Sequence, residues 1–455
     1  MPHASGRTER WLSRLSFLLA GAAVAVPLAA AGVRGSLLLI ACGAAAVAAA
    51  LVATWWFLSH RRVLRWLSGV AAVVVLLAVA VLFARAEMVW VVALTAALWS
   101  GAVAVGRGAL AGAEGVAGSA TQPEFETPAP HRPFLIMNPR SGGGKVGRFD
   151  LIGRARAIGA EVAVLEGEVD VVALAQRAVR EGADLLGVAG GDGTQALVAG
   201  VAAENGVPFM VISAGTRNHF ALDLGLDRDD PAACLDALTD GVELRVDLGR
   251  VGDRTFVNNA SFGAYATVVQ SPAYRDAKGV TALALLPDVL AGSGDARLVA
   301  RIAGTEVSGP RAVLVSNNPY TVTDAAGMGR RQRLDGGVLG VVAVTVRGAA
   351  DAALLMRGLR SPALTVLTAD RVVIDADGSM IPVAVDGEAL LMPTPVRCDI
   401  RPAALRVRVP RLRPGIRVPR PVLDWAALGR VALGRPPSGG PAPDLTTVSA
   451  GRPPL

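Results

Sequence analysis

Gly190, Gly191, Asp192, Gly193 and Thr194 stand between a short apolar run at 184–189 and a helix-forming stretch at 194–204. That combination suits an anion. Glycines let backbone N–H groups approach a phosphate closely, and the N-terminus of the following helix adds a favourable partial charge. Thr194 offers a hydroxyl to a phosphate oxygen, and Asp192 offers a carboxylate to Mg²⁺, directly or through water. A tight turn without any ligand would call for glycine as well. A second loop, Asn138-Pro139-Arg140-Ser141-Gly142-Gly143-Gly144-Lys145, follows the apolar run 133–137, and its lysine after three glycines favours a phosphate contact. A third, Gly215-Thr216-Arg217-Asn218, follows the run 208–213.

The elements that would hold these loops alternate. Apolar runs at 133–137, 161–165, 184–189 and 208–213 are suited to buried parallel strands, and helix-like stretches near 147–158, 171–182, 194–204 and 231–239 interleave with them. This alternation predicts an α/β layer with a mostly parallel sheet, and all three loops then lie at carboxyl ends of strands, where such sheets bind ligands. After about residue 244 the pattern becomes β-rich, with runs at 245–251, 255–260, 296–302, 311–316, 338–345, 371–375 and 381–385 and helical stretches at 280–292 and 348–359, so a second, largely antiparallel domain is expected.

Taken in order, the motifs resemble those of the diacylglycerol kinase catalytic-domain family, which includes sphingoid-base kinases and other bacterial lipid kinases. The matching residues are Asn138, Pro139, Ser141 and Gly142; Gly190 to Thr194; Gly215, Thr216, Asn218, Phe220, Ala221, Leu224 and Gly225; Asn259, Ser261 and Gly263; Asn317 and Asn318; Leu334, Asp335 and Gly336; and Asp386, Gly387 and Glu388. Over about 132–410 the resemblance implies ATP and Mg²⁺ as cofactors, a lipid hydroxyl as acceptor, and a nucleotide between an α/β domain and a β-sandwich domain. It implies nucleotide contacts from Asn138, Ser141, Gly142, Gly190, Gly191, Asp192, Gly193, Thr194, Gly215, Thr216 and Asn218, to which the position of Lys145 after three glycines adds that lysine, with a plain surface lysine as the other reading. Asp386 becomes the candidate to accept the lipid hydroxyl proton, with Glu388 orienting it or helping to hold Mg²⁺. Read without the resemblance, Asp386-Gly387 is equally a hairpin turn. Asp335 resembles an acidic position that the family can use for a structural Mg²⁺, with a turn-forming Asp before Gly336 as its competitor. The family usually has Gly and Asp where this chain has Arg217 and His219, which bears on substrate choice more than on kinase chemistry.

Composition supplies the rest. The mean hydropathy of +0.45 comes from aliphatic residues, because aromatics are only 4% of the chain. The excess is concentrated in stretches at 15–33, 36–59, 63–84 and 88–105, each near the ~20 residues that cross a bilayer as a helix. Between Leu15 and Gly106 the only charges are Arg34, Arg61, Arg62, Arg65, Arg85 and Glu87, all in or beside the gaps. Arg7, Arg10 and Arg14 before the first stretch, and Arg61, Arg62 and Arg65 in the second gap, place those ends in the cytoplasm. The first stretch also has the pattern of a cleavable signal sequence, and three spans would still end inside.

The expected fold is multi-domain: a four-helix transmembrane region at 1–106, a linker at 107–131, an α/β NAD kinase/diacylglycerol kinase-like domain at 132–243, a β-sandwich domain at 244–410 and a basic, proline-rich tail at 411–455. The expected location is a multi-pass plasma membrane protein with a cytoplasmic catalytic domain. Net charge is +7, with arginines recurring from Arg401 onward, and an anionic membrane surface or a solvated tail both account for that run. No aromatic-interleaved basic module points to nucleic acid. Three readings compete with diacylglycerol as acceptor: another lipid such as a sphingoid base or a phosphatidylglycerol-like lipid, an NAD kinase-like enzyme, and a non-catalytic nucleotide-binding scaffold. The third loop and the apolar stretches speak against NAD kinase, and the intact Asp192, Asp386 and Glu388 against a scaffold.

Overall fold

The computed structural model describes residues 6–59, 62–115, 122–167, 169–263, 266, 297–320, 330–331, 333–345, 363–416 and 423–435. The chain divides into two compact units, Met1–Ala120 with Val418–Leu455, and Thr121–Arg417.

The first unit begins with three long helices, α1 (Arg7–Ser59), α2 (Arg62–Arg85) and α3 (Val89–Gly115). α1 is broken at Gly32, which takes φ 66° and ψ 176°, a conformation open to glycine. Four helical stretches are therefore long and apolar enough to cross a membrane: Arg7–Gly35, Ile40–Phe57, Val63–Arg85 and Val89–Ala113. Their apolar side chains point outward, with Leu18 70% and Leu77 59% exposed. A water-soluble bundle would bury that face. α1 and α3 run antiparallel: Glu9 lies at Gly112, the Ser16 hydroxyl donates to the Ala102 carbonyl at 2.7 Å, and Leu19 lies at Gly101.

The second unit opens with β1 (Glu124–Glu126) and β2 (Pro133–Met137), then α4 (Lys145–Arg148), α5 (Leu151–Ala157), β3 (Glu161–Val164), α6 (Val171–Arg180), β4 (Leu185–Ala189), α7 (Asp192–Glu204), β5 (Phe209–Ile212) and α8 (His219–Asp223). β2 pairs in parallel with β3 and β4, and β4 with β5, giving the order β3-β2-β4-β5. All five residues of β2 and of β4 are buried, as helices on both faces of a parallel sheet require. The 231–239 segment is a 3-10 helix, Pro231–Leu238, rather than an α-helix.

The strands continue as β6 (Gly241–Val251), β7 (Arg254–Phe256), β8 (Asn259–Gly263), β9 (Leu298–Ile302), β10 (Thr305–Ser308), β11 (Ala312–Asn317), β12 (Leu339–Val344), β13 (Leu364–Ala369), β14 (Arg371–Ala376), β15 (Met380–Val385), β16 (Glu388–Pro393) and β17 (Val396–Pro410). An antiparallel sheet of order β13-β12-β11-β8-β15-β16 faces the β10-β9-β14-β17 part of the other sheet across a core that includes Phe256, Phe262, Val313, Val341, Ile374 and Val383. β17 also pairs in parallel with β5 through Val407 and Arg408, so the α/β sheet and one sandwich layer are continuous. The first unit is completed by α9 (Trp425–Ala432), whose Ala427, Leu428 and Val431 pack with Ala109, Leu110 and Ala113 of α3.

Two expectations are corrected. The linker expected at 107–131 is helical to Gly115 and carries β1, because Arg411 pairs with Glu126 and Arg413 with Glu124. The arginine-rich stretch from Arg401 is no lipid-facing or solvated tail in its first part. Leu405, Val407 and Val409 alternate into the core, while Arg406 pairs with the buried Glu243 at 2.8 Å and Arg408 donates to the Ala237 carbonyl at 2.6 Å. The helices expected at 280–292 and 348–359 and the chain end from 436 lie outside the described residues.

Candidate active site

The three glycine-bearing loops meet backbone to backbone. Gly142 takes φ +55°, and a Cβ there would stand 2.3 Å from the Ala214 carbonyl oxygen and 2.9 Å from that of Gly215. A Cβ on Gly215 would meet the Gly190 carbonyl oxygen at 2.7 Å and Gly191 Cα at 3.1 Å. Any side chain at either position forces the loops apart. Gly191 caps α7, so residues 192–194 form the first turn of that helix and leave their N–H groups without intrahelical partners.

Several expected contact residues work inside the loops themselves. Asn138 accepts from the Arg140 N–H at 3.0 Å, closing a turn. Asn218 is fully buried with φ 54°; its amide oxygen accepts from the Gly215 N–H at 2.8 Å, and its amide nitrogen donates to the carbonyls of Ser213 and Gly215 at 2.9 and 2.7 Å. Asn218 thus spends both its amide oxygen and its amide nitrogen on its own loop, while Asn138 spends its oxygen. Lys145 donates to the Arg228 carbonyl at 2.5 Å and, at 3.5 Å, to that of Ser213, two residues before Gly215. Burial, then the charge of Arg228, lowers its ammonium pKa. Ser141, Thr194 and Thr216 sit at the loop rims, half-buried for the first two and exposed for the third.

Asp192 is 9% exposed at the start of α7, and its two carboxylate oxygens face the N–H groups of Phe220 and His219 at 3.4 Å, beyond ordinary hydrogen-bond length. Asp386, at the turn between β15 and β16, is the better-held carboxylate. Its Oδ2 accepts from Val257 N–H at 2.8 Å, and its Oδ1 from Asn258 and Asn259 N–H at 2.8 and 3.0 Å. Three of about four lone-pair positions are thereby filled, leaving one on Oδ2. Burial pushes the Asp386 carboxyl up to about 7; the backbone donors oppose this, and the negative charge of Asp192 adds to it. Glu388 lies over the glycine loop, since a Cβ on Gly193 would stand 2.3 Å from its carboxylate, and it pairs with Arg254 at 3.4 Å. Asp192, Asp386 and Glu388 thus come together from the two halves of the unit.

Mg²⁺ needs oxygen donors that are not already taken. Asp192 fits, because its oxygens are held only by long contacts and a carboxylate of like charge is close. Asp335 does not, because Arg333 takes both its oxygens at 2.8 Å. Among the described residues no three His, Cys, Asp or Glu side chains gather as a metal-binding group, so Asp192 would hold the ion together with phosphate oxygens and water.

The sequence gives no sign of three further residues. Gln195 donates to the Gly190 carbonyl at 2.9 Å and steadies the glycine loop. Arg331 and Asp223 form a fully buried ion pair at 2.7 Å behind the site. An acidic residue at the end of a short helix and an arginine far along the chain carry no spacing that links them.

Residues 132–251 match the family model for the diacylglycerol kinase catalytic domain. A diacylglycerol kinase of Mycobacterium tuberculosis (strain ATCC 25618 / H37Rv) is 34% identical over 122 residues, covering 26% of this chain and 40% of that protein. One of Staphylococcus aureus (strain MRSA252) is 34% identical over 143 residues, covering 30% of this chain and 45% of that protein. The chain therefore spans less than half the length of these relatives. A crystal structure from Bacillus anthracis str. Sterne, assigned to the diacylglycerol kinases, superposes with a TM-score of 0.50 at 18% identity over 63% of this chain and 99% of its own. Through its glycine-loop segment this chain is similar to the diacylglycerol kinase catalytic-domain family, and the two-sheet unit that holds the segment has the fold of a solved structure assigned to those kinases.

Proposed function

We propose that this chain is a membrane-anchored lipid kinase that moves the γ-phosphoryl group of Mg·ATP to a lipid hydroxyl, with diacylglycerol as acceptor and phosphatidic acid as product. The observation that carries the reading is the meeting of three glycine-bearing loops with Asp192, Asp386 and Glu388 in a chain that also has four helices able to span a membrane.

In this reading the free N–H groups at the start of α7 hold phosphate oxygens, beside the 141–144 turn, whose Ser141 and Gly144 N–H groups already donate to the carbonyls of Asn138 and Ser141. Magnesium, when bound, neutralises charge on the phosphates, and Asp192 is the residue that would hold it. The remaining lone pair of Asp386 Oδ2 receives the proton of the acceptor hydroxyl. A carboxyl near 7 is suited to that task, because about half of it is ionised near neutral pH and it is basic enough to take a proton. Glu388, whose carboxylate lies over Gly193, orients the acceptor.

The start of α1, the end of α3 and α9 lie at one end of the membrane unit, where Arg14 donates to the Ala432 carbonyl at 3.1 Å. With the arginine distribution, this supports a cytoplasmic catalytic unit in a multi-pass membrane protein. The contact with anionic lipid falls to arginines at helix ends, such as Arg7 and Arg10, since Arg406, Arg408, Arg411 and Arg413 are engaged within the second unit.

Incubating the full chain in mixed micelles with labelled ATP, Mg²⁺ and separate acceptors tests this, with products identified by mass spectrometry. Labelled phosphatidic acid is expected. A phosphorylated sphingoid base or phosphatidylglycerol would move the acceptor, labelled NADP would replace the reading with an NAD kinase, and nucleotide binding without turnover would leave only a scaffold.

A further inference from the structure

The guanidinium of Arg331 is fully buried with no bulk water beside it. A guanidinium offers five N–H donors in a rigid fork, and four are engaged here. Nε donates to Asp223 Oδ2 at 2.7 Å, Nη1 to the carbonyls of Val257 and Asn317 at 2.6 and 2.8 Å, and Nη2 to Asn258 Oδ1 at 2.8 Å. The backbone N–H of Arg331 donates to the other oxygen of Asp223 at 3.2 Å. The Tyr320 ring lies 5.5 Å from the guanidinium, and its hydroxyl accepts from Asn259 Nδ2 at 3.2 Å.

These partners lie on three elements, one of them β11, whose last residue is Asn317. Asp223 is the last residue of α8, whose first two N–H groups face Asp192. Val257 and Asn258 belong to the turn whose N–H groups hold Asp386. One side chain therefore ties the backbone around the first carboxylate to the backbone around the second, across the junction of the α/β layer and the sandwich. A buried ion pair is a poor source of net stability, since apolar side chains of like volume serve as well or better. Fixed geometry is what the fork adds.

We propose that Arg331 is a positioning residue that sets the spacing between Asp192 and Asp386 by joining α8 to the 257–259 turn. Its kinetic consequence rests on the kinase reading above; its structural content does not. The three glycine-bearing loops pack backbone to backbone at Gly142 and Gly215, Asn138 N–H donates to the Ala189 carbonyl at 2.9 Å, and Asn218 closes the third loop on itself, so nucleotide affinity does not depend on the tie. Turnover does, because a misplacement of about 1 Å between reacting groups can lower a rate about 10²-fold.

The test uses the full chain in detergent with two variants: R331M combined with D223L, which leaves no unpaired buried charge, and R331K, which keeps the charge and loses the fork. In either folded variant, kcat should fall about 10- to 100-fold while the Kd for a non-hydrolysable ATP analogue stays within about threefold. Unchanged kcat overturns the proposal, as does a loss of ATP affinity that matches the loss of turnover. A second measurement covers a double variant that does not fold. Spin labels at E204C on α7 and D377C beyond β14, in a C42A background with Cys234 and Cys398 buried, should give a narrow distance distribution in the parent and a broader one in R331K. Equal widths overturn the tie. A parent that phosphorylates no lipid defeats the kinase reading, while the distance distributions still decide the role of Arg331.

Discussion

Replacing Asp386 with asparagine tests both the charge and the chemistry of the candidate base. In the folded chain its carboxyl is raised from 3.8 to about 7, which corresponds to about 4 kcal/mol between the two protonation states. The sign follows from proton binding. The folded state holds the proton more tightly than the unfolded state, so Asp386 favours folding most below pH 3.8, and that contribution is lost as pH rises towards 7. Between pH 5 and pH 8 the loss comes to about 3 kcal/mol. The asparagine side chain carries no charge at either pH, although its NH₂ faces backbone donors at a cost of about 1 to 3 kcal/mol. Relative to wild type, the variant should therefore be about 3 kcal/mol better off at pH 8 than at pH 5. All seven tryptophans lie in the membrane unit, so fluorescence would follow the wrong unit. Hydrogen exchange of peptides over 257–263, with EDTA and without nucleotide, reads the right one. In turnover with diacylglycerol, Asp386→Asn should lower kcat about 10²-fold or more with little change in ATP affinity, and wild-type kcat should rise with pH as the carboxyl ionises. A stability gap independent of pH would refute the account of the charge. A variant that keeps more than about a tenth of its turnover would refute the assignment of the base.

Asp192→Asn should weaken Mg·ATP binding and move the Mg²⁺ dependence to higher concentration, measured by calorimetry at several Mg²⁺ levels. If it binds normally and is inactive while Asp386→Asn is active, the two roles are reversed. Gly215→Ala should lower ATP affinity at least about tenfold, because its Cβ meets backbone at 2.7 and 3.1 Å, whereas Gly193→Ala meets only the movable Glu388 carboxylate and should cost less. Glu204→Cys in a cysteine-free background should resist a membrane-impermeant reagent in intact cells and react after lysis, and ready labelling of intact cells would invert the topology.

The strands β2 to β5 were legible because a parallel strand buried on both faces is a short continuous apolar run, which Leu185 to Ala189 illustrates. The loops were legible because glycine is required where backbones touch, as Gly142 and Gly215 do. β17 was obscured because Arg401, Arg406 and Arg408 outweigh the alternating Leu405, Val407 and Val409, and their partners, among them Glu243, lie far back in the chain. Asn138 and Asn218 show a different limit. Residue type and place marked them for the nucleotide, yet hydrogen bonds within two to five residues use their side chains. The tie between Arg331 and Asp223 spans 108 residues and has no local signature.

The docking of α9 on α1 and α3 bears on biosynthesis. The membrane unit is discontinuous, with Thr121–Arg417 lying between its two pieces in the chain. At about 5–20 residues per second, a ribosome needs roughly 15–60 s to cross that interval. The four apolar helices leave the ribosome before the middle unit, which can then fold while Ala109, Leu110 and Ala113 await their partners from α9. α9 is made after the middle unit and completes a body begun before it, so a chain released before residue 425 would carry a finished middle unit and a first unit lacking the α9 contacts.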